Sequence, residues 1–359
     1  MLPTTPGDVA PRNQWYIAAF SHEISREPIE RWLLNEPIAL YRKEDGTAVA
    51  LDGRCPHHYF PLGKSEVSGD NLRCGYHGMT FAPDGKCIHM PTISTPPSAC
   101  NIRAYPLVER WKWLWIWPGD PAMADESLIP DHDEIRLNDT GFDTEPLFHF
   151  ELPVRYHLLH DNLLDLTHIE FLHNGSIGSE KIAVTQEDAV QDDRSIKSIR
   201  LVKNVTVPPS LKQRVQNYDG KVDREFGLTF YLPCLHAGYE TYWASEGSKD
   251  AGRSFGTSVF FHAVTPAKGN SLHYFFARGR NYLLGDQATT DAARALLEKV
   301  IREDSFAIGE VERMISESAS LRPEAIIASD RTLVQGRRLL EKMILAERDA
   351  KSESTLKRA

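Results

Sequence analysis

Two short segments each offer one cysteine and one histidine at close spacing. Residues 55–57 read CPH and residues 74–77 read CGYH, and sixteen residues separate His57 from Cys74. Glycines and prolines surround both segments and let the backbone approach a bulky centre. Two Cys and two His fit a structural zinc with tetrahedral ligation. They also fit a Rieske [2Fe-2S] cluster, in which two thiolates hold one iron and two imidazoles hold the other.

The mixed pairing favours the iron–sulfur cluster over zinc. Zinc fingers usually take a Cys pair from one element and a His pair from another, and C-x-H is too tight for the common zinc spacings. We therefore expect Cys55 and Cys74 on one iron and His57 and His77 on the other. The histidine iron should lie nearer the surface, because imidazoles can be solvated. Imidazole ligands raise the cluster potential, which suits electron delivery to an oxygen-activating site.

A second group of polar residues lies in the apolar stretch 161–173, DNLLDLTHIEFLH. Buried carboxylates and imidazoles are costly unless they are paired or bind a metal. His168 and His173 are about 140° apart on an ideal helix. Both reach one metal only if the helix is distorted or ends between them, and two satisfied core histidines are the alternative. The side chain of Glu170 points away from the directions of both His168 and His173 around the helix axis, and we expect it to be solvated or salt-bridged.

A carboxylate far downstream completes this group. The helix predicted around 294–315 has an apolar stripe made of Leu297, Val300, Ile301, Ile308, Val311 and Ile315. Asp304 falls inside that stripe, whereas its neighbour Glu303 points to the flank. A carboxylate that faces the core needs a cation, either an arginine or a metal. Two His and one carboxylate form the facial triad of non-haem Fe(II) oxygenases, which leaves positions open for O₂.

The elements around the first group read as short strands and loops. Residues 14–51 contain short strand patterns, and residues 52–100 are rich in Gly, Pro, His and Cys. In residues 111–117, WKWLWIW, tryptophan alternates with the period of a strand that has one aromatic face. The sequence PGDP ends this strand. We place a domain boundary there, between residues 1–121 and 122–359.

The second part predicts strands followed by helices. A helical stretch at 157–173 precedes several alternating runs between 196 and 282, and long helices follow at about 287–318 and 329–347. Ile199, Leu201, Val205 and Val207 keep one parity. This order predicts an α+β domain whose antiparallel sheet is flanked by helices, a helix-grip arrangement.

Composition and charge argue against some classes of binding partner. The chain of 359 residues has a net charge of −9, and we find no clustered Lys/Arg stripe, so nucleic acid and anionic membranes are poor partners. No apolar run approaches the length of a membrane span. The N-terminus lacks a signal-peptide pattern, which predicts a cytoplasmic protein. Five cysteines is an odd number, which fits a reducing compartment.

The electron source is expected outside the chain. The sequence has no GxGxxG loop for a nicotinamide or flavin. After the cluster ligands only Cys87, Cys100 and Cys234 remain, one short of the four thiolates of a plant-type ferredoxin cluster. We therefore expect electrons from NAD(P)H to arrive through a separate ferredoxin-reductase component.

These residues resemble a known family, the oxygenase components of Rieske non-haem iron oxygenases. CPH-x16-CGYHG and DNLLDLTHIEFLH resemble the family's signatures in order and spacing, as do NQWYIAA, ERWKWLWIWPGDP and FFARGRNY. The length and the HNGSIG stretch after His173 are most similar to the vanillate O-demethylase and dicamba O-demethylase branch. The resemblance implies an N-terminal all-β Rieske domain and a C-terminal catalytic domain with a mononuclear iron.

The resemblance also implies roles for individual residues. His168, His173 and Asp304 are implied as iron ligands, and Asn162 is implied to lie near the iron. Asp165 is implied to connect the two metal centres, by bonding the partner subunit's His77 in a head-to-tail homotrimer.

Three positions carry expectations of their own. His262, on the late hairpin, is a candidate to meet the carboxylate or phenol of a substrate, although a hairpin histidine is more often structural. His58 follows His57 where relatives often carry arginine, so this edge of the cluster is expected to differ. His160 stands where relatives usually have an apolar residue, and it either lines the pocket or is a satisfied core histidine.

The expected activity is monooxygenation of a small aromatic acid with O₂ and NAD(P)H-derived electrons. A methoxy substrate would give a phenol and formaldehyde. Hydroxylation of a methyl group or ring, on an aromatic carboxylate or sulfonate, is the alternative within enzymes. A Rieske electron carrier without oxygenase activity and a zinc-stabilised binding protein are the alternatives outside it.

Overall fold

The computed structural model describes residues 10–130, 141–212, 214–215 and 218–356. Ten short strands lie between residues 16 and 116 and form three antiparallel sheets, in the orders β1-β10-β9, β2-β3-β4 and β5-β6-β7-β8. The strands are β1 (Tyr16–Phe20), β2 (Ile29–Leu33), β3 (Glu36–Arg42), β4 (Ala48–Asp52), β5 (Glu66–Ser68), β6 (Asn71–Arg73), β7 (Thr80–Phe81), β8 (Cys87–His89), β9 (Leu107–Arg110) and β10 (Trp113–Ile116). The prediction of an all-β N-terminal part is confirmed.

The tryptophan row is shorter as a strand than the alternation indicates. Trp111 and Lys112 have φ of 58° and 70° and form the tight turn that joins β9 to β10. In the strand itself Trp113 and Trp115 are buried, and so are Leu114 and Ile116 between them. Both faces of β10 are covered, because successive side chains of a strand point to opposite faces and all four are buried.

The C-terminal part is built on one seven-stranded antiparallel sheet with the order β11-β17-β16-β15-β14-β13-β12. Its strands are β11 (Asp143–Leu152), β12 (Asp188–Gln191), β13 (Ser195–Val205), β14 (Val222–Tyr231), β15 (Leu235–Ala244), β16 (Ser254–Pro266) and β17 (Leu272–Arg280). The α-helices in the described ranges are α1 (Tyr156–Leu164), α2 (His168–Phe171), α3 (Gln287–Glu317) and α4 (Arg331–Leu356). Together with the all-β part, this confirms the predicted α+β class.

The two parts share one hydrophobic core. Buried side chains form a continuous cluster from β1 and β10 through β16 and β17 to α1, α3 and α4. A separate small cluster lies under the loops that carry Cys55 and Cys74. None of the helices in the described ranges is both long enough and apolar enough to cross a lipid bilayer.

The helix predicted at 157–173 is broken in the middle. α1 ends at Leu164, Asp165 has non-helical angles of φ −108° and ψ 88°, and the short α2 begins at His168. One break lies before His168, and α2 then ends at Phe171, between the two histidines, so His173 follows on a turn. The distortion that a shared metal requires is therefore present.

The apolar stripe of α3 differs from its prediction at one end. Leu297, Val300, Ile301 and Ile308 are buried, but Val311 is 47% exposed and Glu312 is buried in its place. Glu312 Oε2 accepts hydrogen bonds from the backbone N–H and Nε of Arg155, at 3.0 and 2.7 Å. Arg155, just before α1, forms an ion pair with Glu312. This contact buries Glu312 instead of its neighbour Val311.

Candidate active site

The two Cys–His loops have the same backbone form. The N–H of Tyr59 donates to the carbonyl of Cys55 at 2.8 Å, and the N–H of Gly78 donates to the carbonyl of Cys74 at 3.0 Å. The residue that closes each turn has a positive φ, 57° at Tyr59 and 73° at Gly78. Glycine adopts this conformation freely, whereas tyrosine does so at a cost. The same type of backbone turn therefore carries both pairs, with the histidine two residues after Cys55 and three residues after Cys74.

The four predicted cluster ligands come together with the expected polarity. Cys55 and Cys74 are buried, whereas His57 and His77 are exposed. The Nδ1 atoms of the two histidines lie 3.2 Å apart. Burial, with the adjacent Cys74 thiol, raises the pKa of Cys55 to about 11, so a nearby cation is needed to make the thiolate that binds metal. The residue types and their exposure fit a Rieske cluster with its histidine iron outward.

Aromatic rings surround the exposed histidines. The ring of His58 lies tilted against that of His57 with centroids 4.0 Å apart, and the ring of Tyr76 lies 3.8 Å from that of His77. Tyr59 is 76% exposed beside them. The face that carries the cluster histidines is thus an exposed aromatic surface.

The second site brings together three residues from distant parts of the chain. Metal-ligating atoms of His168, His173 and Asp304 all lie within 4.8 Å of one another. Oδ1 of Asp304 is 3.5 Å from Nε2 of His168 and 3.1 Å from Nε2 of His173. Two imidazole nitrogens and one carboxylate oxygen converge on one point, which is the arrangement of a facial triad.

The two histidines are held at the ring nitrogen remote from the site, and Asp304 is held at the oxygen that faces them. His168 Nδ1 donates to the backbone carbonyl of Asp165 at 2.6 Å, and His173 Nδ1 donates to Glu303 Oε2 at 2.7 Å. Asn162 Nδ2 donates to Asp304 Oδ1 at 3.1 Å. Hydrogen bonds to Nδ1 fix the tautomer that offers Nε2 to a metal. The predicted position of Asn162 beside the site agrees with this geometry.

Two glutamates behave differently from the sequence expectation. Glu303 was expected on the flank of its helix, but its carboxylate reaches back to His173 and to the hydroxyl of Ser176 at 3.0 Å. Glu170 was expected in solvent or a salt bridge, but it accepts the backbone N–H groups of Lys181 and Ala183. The helical periodicity predicts only the direction of each Cα–Cβ bond. It does not predict the loop after α2, whose residues form these hydrogen bonds with the two glutamates.

The protonation of the site suits a cation. Burial raises the pKa of Asp304, but the hydrogen bond and charge of His173, the charge of His168 and the amide of Asn162 lower it overall. Burial lowers the pKa of His168 and keeps that imidazole neutral. Burial also lowers the pKa of His173, yet Asp304 and Glu303 outweigh it and raise the pKa. An ionised carboxylate between two imidazoles fits a divalent metal.

Asp165 occupies the break between α1 and α2. Its Oδ1 accepts the N–H of Thr167 at 3.0 Å and the Thr167 hydroxyl at 2.6 Å. The same residue turns its carbonyl inward to His168. The turn therefore carries a half-buried carboxylate on one side and an iron-site contact on the other.

A cavity of about 350 Å³ opens onto the three converging residues. Much of its wall is apolar and comes from the sheet; it includes Phe226, Leu228, Phe260 and Phe276. His262 also lines it and shares a 2.6 Å hydrogen bond between Nδ1 and the Tyr274 hydroxyl. Burial lowers the pKa of His262 to about 4, so this imidazole is neutral. The size and lining suit a small aromatic molecule.

His160 is a core histidine. It is 1% exposed, and its Nδ1 shares a 2.6 Å hydrogen bond with His236 Nε2. Burial lowers its pKa to about 3. Its ring packs on Tyr156 and Phe230, as a core position requires, but its buried Nε2 has no hydrogen-bond partner among the described residues, so the expected core histidine is only partly satisfied.

Comparison with known proteins agrees with both sites. The model of the Rieske [2Fe-2S] domain matches residues 14–106, and that of the vanillate O-demethylase oxygenase C-terminal domain matches residues 152–346. The iron–sulfur subunit of a toluene-4-sulfonate monooxygenase system from Comamonas testosteroni is 35% identical, over 94% of this chain and 97% of that protein. The oxygenase component of dicamba O-demethylase from Stenotrophomonas maltophilia is 30% identical, over 92% and 97%.

Further relatives extend the same picture. The vanillate O-demethylase oxygenase subunit of Pseudomonas sp. strain HR199 is 30% identical, over 97% of this chain and 99% of that protein. The crystal structure of dicamba monooxygenase bound to dicamba superposes with a TM-score of 0.84 at 30% identity, covering 94% of this chain and 98% of that one.

Fold, sites and relatives together define an oxygenase component of the Rieske non-haem iron class. Within that class the chain belongs to the family that has the vanillate O-demethylase oxygenase C-terminal domain. It is a monooxygenase-type oxidoreductase with a [2Fe-2S] Rieske cluster and a mononuclear non-haem iron, and it receives NAD(P)H electrons from a separate reductase. The match confirms the Rieske interpretation over the zinc alternative.

Proposed function

We propose that this protein O-demethylates a methoxylated aromatic acid. The observation that carries the proposal is the cavity that joins a mostly apolar sheet surface to His168, His173 and Asp304. The reaction balances as ArOCH₃ + O₂ + 2e⁻ + 2H⁺ → ArOH + CH₂O + H₂O, with the electrons from the reductase. The hydroxylated methyl group is a hemiacetal, which collapses to the phenol and formaldehyde. Relatives named for vanillate and dicamba O-demethylation support this choice.

The chain's own residues position the reaction. The iron, held by His168, His173 and Asp304, would supply O₂ activation. Asn162 restrains the carboxylate through its hydrogen bond to Asp304. The phenylalanines on the sheet hold the ring and exclude water, which strengthens electrostatic interactions inside the cavity. Neutral His262, oriented by the Tyr274 hydroxyl, is placed to hydrogen-bond an ether or phenol oxygen of the substrate.

Electron transfer is proposed to cross between subunits of a homotrimer. Two features support it: His57 and His77 lie on an exposed aromatic surface, and Asp165 carries a half-buried carboxylate next to the iron site. In this arrangement Asp165 bonds the partner subunit's His77, as the family resemblance implies. Light scattering on the purified holoprotein should give the mass of three chains.

We also propose that the two domains divide near residue 121. The proline-rich segment there follows β10, and it lies between the two family matches, which end at residue 106 and begin at residue 152.

The deciding experiment is formaldehyde release. The holoprotein, a surrogate reductase and NADH would be offered methoxybenzoates beside methyl and unsubstituted analogues. Formaldehyde in step with O₂ uptake and a phenol product supports O-demethylation. Hydroxylated product without formaldehyde would establish the hydroxylase alternative, which the similarity to a toluene-4-sulfonate monooxygenase subunit favours.

A further inference from the structure

The cavity is long, and its two ends differ in charge. Strand β16 lines it from Ser258 to His262, four residues apart, which is about 13 Å along an extended strand. His262 and Tyr274 lie within electrostatic reach of Asp304, so this is the iron end. Ser258 therefore marks the opposite end of the floor.

A buried arginine without full hydrogen bonding lies at that opposite end. Arg214 donates from Nη2 to Ser258 Oγ at 2.7 Å and places its guanidinium 3.9 Å from the centroid of the Tyr282 ring. Its side chain is only 8% exposed. Among the described residues, its buried Nη1 has no hydrogen-bond partner. A buried donor without a partner is costly unless a ligand supplies one.

The carboxylate nearest to Arg214 belongs to Glu240, which already pairs with another arginine. Glu240 Oε2 accepts from Arg224 at 2.6 Å, whereas Glu240 Oε1 is 3.9 Å from Arg214 Nη2. Arg224 also donates to Ser179 and to the carbonyl of Ile177. The glutamate thus neutralises one arginine and leaves the charge of the second largely uncompensated.

Arg278 adds a further positive charge on the same cavity wall. Its Nη2 donates to the Tyr282 hydroxyl at 2.7 Å, and no ion pair links it to a carboxylate within the described part of the chain. Burial and the cations Arg214 and Arg280 lower its pKa, against the opposing effect of Tyr282. Arg280 itself pairs with Asp143 at 3.1 Å. Within the described side chains, Arg278 has no carboxylate partner, and Arg214 has only Glu240 at 3.9 Å, which Arg224 shares at 2.6 Å.

We propose that Arg214 and Arg278 bind the carboxylate or sulfonate of the aromatic substrate at the end of the cavity opposite the iron. The carbon that is oxidised then lies across the ring from the acid, in a para or meta relation. The inference rests on the proposed function, which places an aromatic acid in this cavity. It moves the acid away from His262, whose neutral imidazole stays beside the oxygen that is demethylated.

The test is a binding measurement that does not depend on turnover. Isothermal titration calorimetry on anaerobic holoprotein would compare 4-methoxybenzoate with neutral 4-methoxybenzamide. In Arg214→Gln and Arg278→Gln, the acid should bind about 10- to 100-fold more weakly and the amide within about twofold of wild type. Arg214→Lys should give an intermediate loss. Arg253→Gln, at a 57% exposed arginine outside the cavity, is the matched control.

Several results separate this inference from the proposed function. An unchanged acid-to-amide ratio in both glutamine variants, with the cluster spectrum intact, would overturn the anion site. Acid binding that depends on the arginines, without formaldehyde release, would keep the anion site and overturn O-demethylation. A preference for 2-methoxybenzoate over the 3- and 4-isomers would overturn the proposed orientation. A comparison of the affinities for toluene-4-sulfonate and 4-methylbenzoate shows whether the site prefers a sulfonate or a carboxylate.

Discussion

The two metal sites of this chain are built in opposite ways. The cluster loops are local: each Cys–His pair is presented by a short hydrogen-bonded turn, and the histidines face outward. The iron site joins residues 131 positions apart, and hydrogen bonds hold every proposed ligand, at Nδ1 of the two histidines and at Oδ1 of Asp304. A centre that exchanges electrons with partners needs exposure, whereas a centre that activates O₂ needs a dry, preorganised cavity. The difference predicts that the two sites can be damaged separately.

The largest expected effect comes from Asp304→Ala. Removing the carboxylate takes away one of three proposed ligands, so we expect loss of the mononuclear iron and a fall in turnover of more than about 1000-fold. The red-brown cluster and its visible spectrum should remain. Iron analysis and O₂ uptake measure this, and Arg313→Gln, at an exposed position of the same helix, is the control. Unchanged oxygenation would remove Asp304 from the triad.

Asp165→Asn should slow electron transfer between the two metal sites without loss of metal from either site. Both centres should keep their iron and the cluster its spectrum, while turnover falls by about 100-fold, because the proposed route between subunits loses its charged hydrogen bond. The reoxidation rate of the reduced cluster, with substrate and O₂ present, measures the step. Normal reoxidation would show that electrons reach the iron by another route.

Glu303→Gln tests how much the iron site depends on support from behind. The amide lacks the charge that strengthens the Nδ1 hydrogen bond of His173, so iron affinity should fall by about 10- to 100-fold. Competition with a chelator measures it. Glu298→Gln, at an exposed residue one and a half turns earlier on α3 that pairs with Arg302, is the matched control. Equal losses in both variants would point to a general effect on the helix.

The smallest effect concerns the contact between the two parts of the molecule. Burial raises the pKa of Glu23, but His149 and Arg31 reverse this and lower it from 4.5 to about 2. The stabilisation is therefore present above pH 4.5 and disappears as the pH falls towards 2. Glu23→Gln should cost about 1–2 kcal/mol of unfolding free energy at pH 7 and much less near pH 2. Urea unfolding at several pH values measures it; a pH-independent loss would contradict the ion-pair explanation.

The same contrast explains what the sequence could predict. The cluster ligands were visible as motifs because their geometry is local, and the core-facing direction of Asp304 followed from helical periodicity. The break at Asp165, the reach of Glu303 and the arginines at the far end of the cavity depend on contacts between distant segments. Strand β13 shows the same limit: Leu201 is 42% exposed, whereas Arg200 is buried opposite Glu187 at 3.1 Å. The alternation of apolar residues indicates the period of this strand, but it does not indicate which of its two faces is buried.

The break at Asp165 has a consequence for assembly. One residue offers its carboxylate to the neighbouring subunit in the proposed trimer and its carbonyl to His168. Whatever shifts this turn at the subunit contact also shifts an imidazole at the iron. By thermodynamic reciprocity, any factor by which metal loading changes subunit association is also the factor by which association changes metal affinity. In the proposed trimer, the turn from Asp165 to His168 would therefore link the subunit contact to the iron site through four consecutive residues.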